Sequence, residues 1–174
     1  LTSDGSNFAK NDFSSKKWGP QNLRLIIGRP NTFGIAVPGN AGIDTIADLK
    51  GKRVSLDEPG SGTYVDAKLI LESNGLSTGD VKAEALKGKA ATDALRNGKV
   101  DAIFVVAGFP TGAVVELASS VDIKLVPIDG AGAKALTSKY GFFSQSPIPS
   151  GTYEGVDEVS TVAVGAQWFT SAKE

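Results

Sequence analysis

Two glycine-containing turns hold the residue types and spacing that suit the binding of an anion. One follows the apolar-alternating run "KRVSLD", the other follows the apolar run "VDAIFVV", and each precedes a helical pattern. Glycine lets a backbone approach a ligand closely, and the free N–H groups and dipole of a helix N-terminus favour negative charge. We therefore predict that these residues bind a ligand: Gly60, Ser61, Gly62, Thr63, Gly108, Phe109, Pro110 and Thr111.

Each turn alone is also typical of an ordinary connection between a strand and a helix. Ser61 suits an N-cap, and Thr63-x-x-Asp66 resembles a capping box. Asp57 and Glu58 lower the potential for an anion beside the first turn. The interpretation as a binding site therefore depends on the two turns meeting at one edge of a sheet.

A third glycine-rich stretch, "GAGAKA" at 130–135, formally fits the dinucleotide fingerprint G-x-G-x-x-A. Short matches of this kind are weak evidence, and no stretch supplies the G-x-x-x-x-G-K-[ST] loop of nucleotide-binding proteins. A nucleotide-binding domain or a small α/β enzyme domain stays open as the alternative function. We consider a chance match the better explanation of this stretch.

Composition argues against most catalytic functions. The 174 residues include no histidine and no cysteine, and the net charge is −1. The commonest general base, the commonest metal ligand and thiol chemistry are therefore absent. We predict a protein that is not an enzyme, with no catalytic residue, no metal site and no cofactor. No basic stripe indicates nucleic acid, and no apolar run approaches the length that crosses a membrane.

The elements that would position the two turns alternate between strand and helix. Strand patterns cover 53–57, 81–86, 100–106 and 123–128, and helical patterns cover 63–75, 90–98, 110–120 and 131–141. This rhythm predicts an α/β fold with a doubly wound, mostly parallel sheet. Both turns then lie at the carboxyl ends of strands, where ligands bind in such folds. Pro110 is expected at the first position of its helix.

Other segments do not follow this rhythm. We predict consecutive strands at 23–28 and 32–39 and a further strand at 160–169, with 32–39 and 160–169 side by side as hinge crossovers. The stretch 141–159 is rich in Pro, Gly and Ser and is expected to form a long ordered loop. Its aromatic residues, Phe142, Phe143 and Tyr153, should hold it against the body of the protein.

Several motifs in fixed order resemble the TAXI family, the TRAP-associated extracytoplasmic immunogenic proteins. They are "IADLKGKRVSLDEPGSGT", "LRNGKVDAIFVVAGFPTGA", "LVPIDG" and "IPSGTYEG", and the similarity runs from about Leu23 to Lys173. The resemblance implies a periplasmic (type II) binding-protein fold of two α/β lobes. It also implies a small organic anion such as glutamate or 2-oxoglutarate as ligand, and the membrane subunits of a tripartite ATP-independent (TRAP) transporter as partners. The full-length receptor would be periplasmic, monomeric and not embedded in the membrane.

The family pattern also includes a first lobe with its own glycine-rich, tyrosine-containing turn, and nothing here corresponds to that turn. By resemblance, 1–38 is a remnant of the first lobe with the first hinge strand, 39–160 is the ligand-binding α/β lobe, and 161–174 is the return hinge strand. Half of a cleft site would then lie outside this chain. An antigenic or interaction fragment without a working site is a further possibility.

Overall fold

The computed structural model describes residues 23–171, except for the side chains of 23–27, 168, 169 and 171. The strands are β1 (Leu23–Pro38), β2 (Arg53–Ser55), β3 (Lys82–Glu84), β4 (Ala102–Ala107), β5 (Ile123–Leu125), β6 (Phe143–Gln145) and β7 (Val162–Ser171). The α-helices are α1 (Gly62–Ser73), α2 (Gly88–Arg96), α3 (Gly112–Ala118) and α4 (Gly130–Lys139), with short 3-10 helices at Ile46–Leu49 and Thr78–Asp80.

The strands form one seven-stranded sheet in the order β3-β2-β4-β1-β7-β6, and β5 pairs with the end of β1. Strands β2, β3 and β4 are parallel neighbours. β1 is antiparallel to β4, β5 and β7, and β6 is antiparallel to β7. β2, β3, β4, β5 and β7 therefore run in one direction. The predicted α/β fold with a mostly parallel sheet is confirmed.

β1 is a single strand of 16 residues, so the prediction of separate strands at 23–28 and 32–39 is wrong. Pro30 lies in the gap between the two predicted strands, and proline cannot donate a backbone hydrogen bond to a neighbouring strand. Pairing with β4 begins only at Thr32, so β1 has an open edge on that side at Pro30. Proline is tolerated at such an edge, and the strand continues through it.

The pairing of β1 with β7 extends beyond the rest of the sheet. Thr32 lies opposite both Ala107 at the end of β4 and Ala163 of β7. In the part of the chain that the structure describes, residues 23–31 of β1 pair with β7 alone. At about 3.3 Å per residue this ribbon is about 30 Å long. It projects from the edge of the sheet at which the parallel strands have their carboxyl ends.

The helices cover both faces of the sheet, because side chains alternate along each strand. On one face, α1 and α4 pack over Phe33 and Ile35 of β1 and Phe104 of β4. On the other face, α2 and α3 pack over Ala36 and Ile103. β1 and β4, the strands at the centre of the sheet, therefore contribute to two apolar cores, as expected for strands that are buried on both sides.

Two local predictions fail, and one is confirmed. α3 begins at Gly112 and not at Pro110, because Thr111 keeps an extended backbone and its carbonyl group accepts the first helical hydrogen bonds. The predicted loop 141–159 contains strand β6, which pairs with β7. Phe143 and Tyr153 are buried and do hold this segment against the body of the protein.

Candidate functional site

The two predicted turns follow neighbouring parallel strands. Ser55 ends β2 and pairs with Ile103 of β4, and β4 continues to Ala107 before its own turn begins. Both turns therefore lie at the carboxyl edge of the sheet, where a ligand of an open α/β sheet is expected. The second turn stands farther along the strand direction than the first, closer to the β1–β7 ribbon.

The first turn is organised by its own hydrogen bonds. The Ser61 side chain accepts a hydrogen bond from the Tyr64 N–H at 3.1 Å and caps α1. The Ser61 N–H in turn donates to the Glu58 carbonyl group at 3.0 Å. The N–H groups of Gly62 and Thr63 precede the first intrahelical bond and have no partner among the described residues. Together with the hydroxyl proton of Ser61, they are donors that an anion could use.

The negative charge beside the first turn is partly balanced. Glu58 forms an ion pair with Lys87 at 2.6 Å, and this hydrogen bond raises the pKa of the lysine above its usual value. Asp57 has positive φ, and its carboxylate accepts a hydrogen bond from the Glu58 N–H. The expected unfavourable potential from Asp57 and Glu58 is therefore smaller than the sequence indicates.

The second turn is tied to a distant part of the chain. The Thr111 N–H donates a hydrogen bond to the Tyr153 hydroxyl group at 3.2 Å. Burial raises the pKa of Tyr153 above its usual value, and the hydrogen bond from Thr111 opposes this shift. The tyrosine is buried while Phe109 is exposed, so the turn has an anchored end and an open end.

A narrow cleft lies between the second turn, the β1–β4 pair and the loop that carries Tyr153. Its walls are formed by Thr32, Gly34, Ala36, Val105, Ala107, Phe109, Thr111, Val114, Leu125, Ile148 and Tyr153. Its volume is about 10 Å³, which holds at most a single water molecule. Phe109 and Thr111 line this cleft, and none of the predicted residues of the first turn does. The structure therefore brings the two turns to one edge without joining them in one cavity.

Sequence reasoning missed two polar residues of β1 at this edge. Arg29 lies on the ribbon, where its guanidinium group approaches Gly108 of the second turn. Thr32 lines the cleft and is buried, and its hydroxyl group has no hydrogen-bond partner among the described residues. The only signal was an arginine directly before a proline in a mostly apolar strand. Arg29 lies in the gap between the two predicted strands, 23–28 and 32–39, and was not assigned to the site.

The opposite edge of the sheet carries paired charges. Arg53 and Asp101 form an ion pair at 2.6 Å, and the hydrogen bonds from Arg53 lower the pKa of the aspartate below its usual value. Arg96 pairs with Asp93 in the same helix turn. A larger, open depression of about 360 Å³ lies at this edge beside Arg96 and Asp122. It is far from the carboxyl ends of the strands, and we do not assign it to the site.

The stretch "GAGAKA" has a packing function in the structure. It begins α4, and Gly132 is buried against α1. A Cβ atom at Gly132 would lie 2.1 Å from Oδ1 of Asn74, so only glycine fits there without rearrangement. Asp129 places a carboxylate at the N-cap position, which is unfavourable for a phosphate. The contact between the two helices explains the glycine pattern, and the nucleotide interpretation loses its support.

The described residues contain neither a metal site nor a helix that could span a membrane. There, no group of three or more His, Cys, Asp or Glu side chains is arranged to hold a metal ion. Among the helices described, none has the length and apolar character needed to cross a membrane.

The sequence comparison identifies a family over nearly the whole chain. The model of the NMT1-like family matches residues 9–174. The chain belongs to the NMT1-like family. This match includes both turns, the ribbon strands and all the helices described above.

Solved structures share the fold. The periplasmic aliphatic sulphonate binding protein SsuA from Escherichia coli is 24% identical, with 61% of this chain and 36% of that chain covered and a TM-score of 0.50. A putative sulfonate ABC transporter periplasmic sulfonate-binding protein from Methylobacillus flagellatus KT is 20% identical, with 88% and 38% covered and a TM-score of 0.53. The chain therefore has the fold of periplasmic binding proteins and spans well under half of the length of either one.

Proposed function

We propose that this chain is the ligand-binding lobe of an extracytoplasmic solute receptor that captures a small organic anion and releases it unchanged. The observation that carries this proposal is the direction of the β1–β7 ribbon. Its two strands leave the lobe hydrogen-bonded to each other, from the same edge as the two turns. A second lobe attached through such a ribbon would face both turns across a cleft.

Within this proposal, the boundaries expected from the sequence change at one point. Residues 39–160 and the mostly buried segment 33–38 of β1 form the ligand-binding lobe, and the β1–β7 ribbon is the hinge. The segment 1–22 lies outside the described residues, so the proposed remnant of a first lobe rests on resemblance alone. Because the other lobe would supply the remaining donors, we expect useful affinity only when the two lobes close on the ligand.

The anion is proposed to bind at the eight predicted residues of the two turns. Gly62 and Thr63 offer unpaired N–H groups at the start of a helix of 12 residues, where the dipole favours negative charge. No nucleophile paired with a general base is visible in the described part of the lobe, so capture and release is the simplest chemistry. Glutamate and 2-oxoglutarate are the proposed ligands, and the aliphatic sulphonate of the similar SsuA protein is a related anion.

The proposed partners are the membrane subunits of a TRAP transporter, as the resemblance to the TAXI family implies, and the proposed location is the periplasm. ABC-type transporters are the alternative partners, because a structure of the same fold carries that description. Growth on a bound anion after deletion of either kind of membrane subunit would separate the two transporter types.

Equilibrium dialysis on the full-length receptor tests the proposed function. The ligands are glutamate, 2-oxoglutarate, ethanesulfonate, arginine and ATP, each followed by mass spectrometry of the released compound. We expect saturable binding of at least one organic anion, no binding of ATP, and recovery of the anion unchanged. Chemical conversion of a bound compound, or saturable binding of ATP alone, would contradict the proposal.

A further inference from the structure

Arg29 is a cation at the carboxyl edge of the sheet that has no partner among the described residues. Its side chain is exposed on β1, three residues before the point where β4 ends. In the described part of the chain it forms neither a salt bridge nor a side-chain hydrogen bond. Lys87, near the first turn at the same edge, is paired with Glu58. Arg29 has no such partner among the described residues and is therefore available to a ligand.

Gly108 gives the guanidinium group its position. A Cβ atom built at Gly108 would lie 3.9 Å from Cζ of Arg29, so the guanidinium group lies within contact distance of the space that a side chain at Gly108 would fill. A methyl group would only touch it, but a longer side chain would push the guanidinium group away. Strand alternation places Gly108 and Arg29 on the sheet face covered by α1, which is also the helix that starts at the first turn.

Thr32 is a second polar group near the same turn, on the face of the sheet that α2 and α3 cover. Its side chain is only 4% exposed, and its hydroxyl group has no protein partner among the described residues. Burying a hydroxyl group without a partner is unfavourable. The cleft has room for one water molecule, and a water molecule or a ligand atom would give the hydroxyl group a hydrogen-bond partner. The second turn therefore has an arginine on one face of the sheet and a buried hydroxyl group on the other, both without a hydrogen-bond partner among the described residues.

We infer that Arg29 binds the acidic group of the ligand and makes the site specific for organic oxyanions. This inference rests on the proposed function and adds to it the residue that supplies the charge. A guanidinium group can hold a carboxylate or a sulfonate through two parallel hydrogen bonds. Gly108 keeps the space for this contact. Thr32 faces the other side of the sheet and takes no part in it.

Calorimetry on the full-length receptor tests the role of Arg29, with 2-oxoglutarate and ethanesulfonate as separate probes. Arg29→Gln removes the charge at similar length and should weaken binding of the better probe about ten- to hundredfold, the scale of a charged hydrogen bond. Arg29→Lys should restore part of the affinity. Gly108→Leu should act like Arg29→Gln, whereas Gly108→Ala should bind like the parent. Which probe loses more affinity distinguishes a carboxylate ligand from a sulfonate ligand.

Arg96→Gln, on the opposite edge, is the matched control and should bind like the parent. Thermal melts that agree with the parent establish that Arg29→Gln is folded. Binding by Arg29→Gln within twofold of the parent would overturn the role of Arg29 while leaving the receptor function intact. A parent protein that binds neither probe nor glutamate would overturn the proposed anion receptor and the role of Arg29 together.

Discussion

The two turns at the carboxyl edge are stabilised in different ways. The first turn is held by neighbours in sequence. The Ser61 hydroxyl group accepts a hydrogen bond from the Tyr64 N–H, and the Ser61 N–H donates one to the Glu58 carbonyl group. The second turn is held by a residue far away in the chain, through the hydrogen bond from the Thr111 N–H to the Tyr153 hydroxyl group. The first can form as soon as its helix forms, while the second needs the complete lobe. Ligand donors at the first turn are therefore local, and those at the second depend on tertiary structure.

The largest expected effect is a loss of anion binding when the first turn is changed but not when the second is. Gly62→Val places a branched side chain beside the unpaired N–H groups of α1 and should abolish detectable binding of the anion by the full-length receptor. Gly112→Val is the matched control, because Gly112 is also the first residue of a helix and a Cβ there meets nothing within 4 Å. Calorimetry should show loss in the first variant alone. Equal loss in both would show that the effect is not specific to the first turn and would contradict the special role of the Gly62 and Thr63 N–H groups.

The contribution of the hydrogen bond between Thr111 and Tyr153 can be measured as a change in the free energy of unfolding. Tyr153→Phe leaves the Thr111 N–H without its acceptor and should lower the free energy of unfolding by about 1–2 kcal/mol. Tyr140→Phe removes a hydroxyl group without a hydrogen bond in the described structure and should cost less than about 0.5 kcal/mol. Urea denaturation of both variants gives the comparison. Equal stabilities would mean that the bond to Tyr153 does not hold the turn.

The local organisation of the first turn predicts a smaller effect. Ser61→Ala removes the N-cap of α1 and should cost about 1 kcal/mol of stability. If the hydroxyl group also donates to the anion, binding should weaken about fivefold or more in the full-length receptor. Ser138→Ala, at an exposed position of α4, is the control. A stability loss with unchanged affinity would make Ser61 a helix cap and nothing more.

The smallest effect is a pH dependence of the second turn. Burial raises the pKa of Tyr153 in the folded state, so its stabilising contribution is present below the unfolded value of about 10 and is lost as the pH rises through the folded pKa. The urea midpoint of the parent should therefore fall more steeply above about pH 10 than that of Tyr153→Phe. Parallel curves for the two proteins would show that this tyrosine titrates alike in both states.

The elements that could be predicted from the sequence are those set by local patterns. Helix α1 with its Ser61 cap, the buried strand β4 and the βα rhythm follow from capping chemistry and apolar runs, and they agree with the structure. What failed depends on strand neighbours. Whether Pro30 interrupts β1 depends on where the pairing with β4 begins, and that pairing is known only from the tertiary structure.

The candidate site divides in the same way. Glycines and hydroxyl groups that precede helices are visible in the sequence, so the turns at Gly60–Thr63 and Gly108–Thr111 could be named. Arg29 and Thr32 lie on a strand that carries no glycine motif, and only the register of β1 against β4 brings them to the second turn. The close approach of Gly132 to Asn74 likewise needs two packed helices to be recognised.

The β1–β7 ribbon also determines what kind of motion the lobe can have. The two strands are hydrogen-bonded along their length, and a slip by one residue would turn every side chain to the other face. Sliding of one strand along the other is therefore suppressed, and β1 and β7 cannot move independently of each other. Bending out of the plane breaks no ladder, and the irregular register between Leu25 and Ile27 is the natural place for it. A body joined to this lobe through the ribbon would rotate about that point. It would not shift along the strands, because the pairing of β1 with β7 is kept.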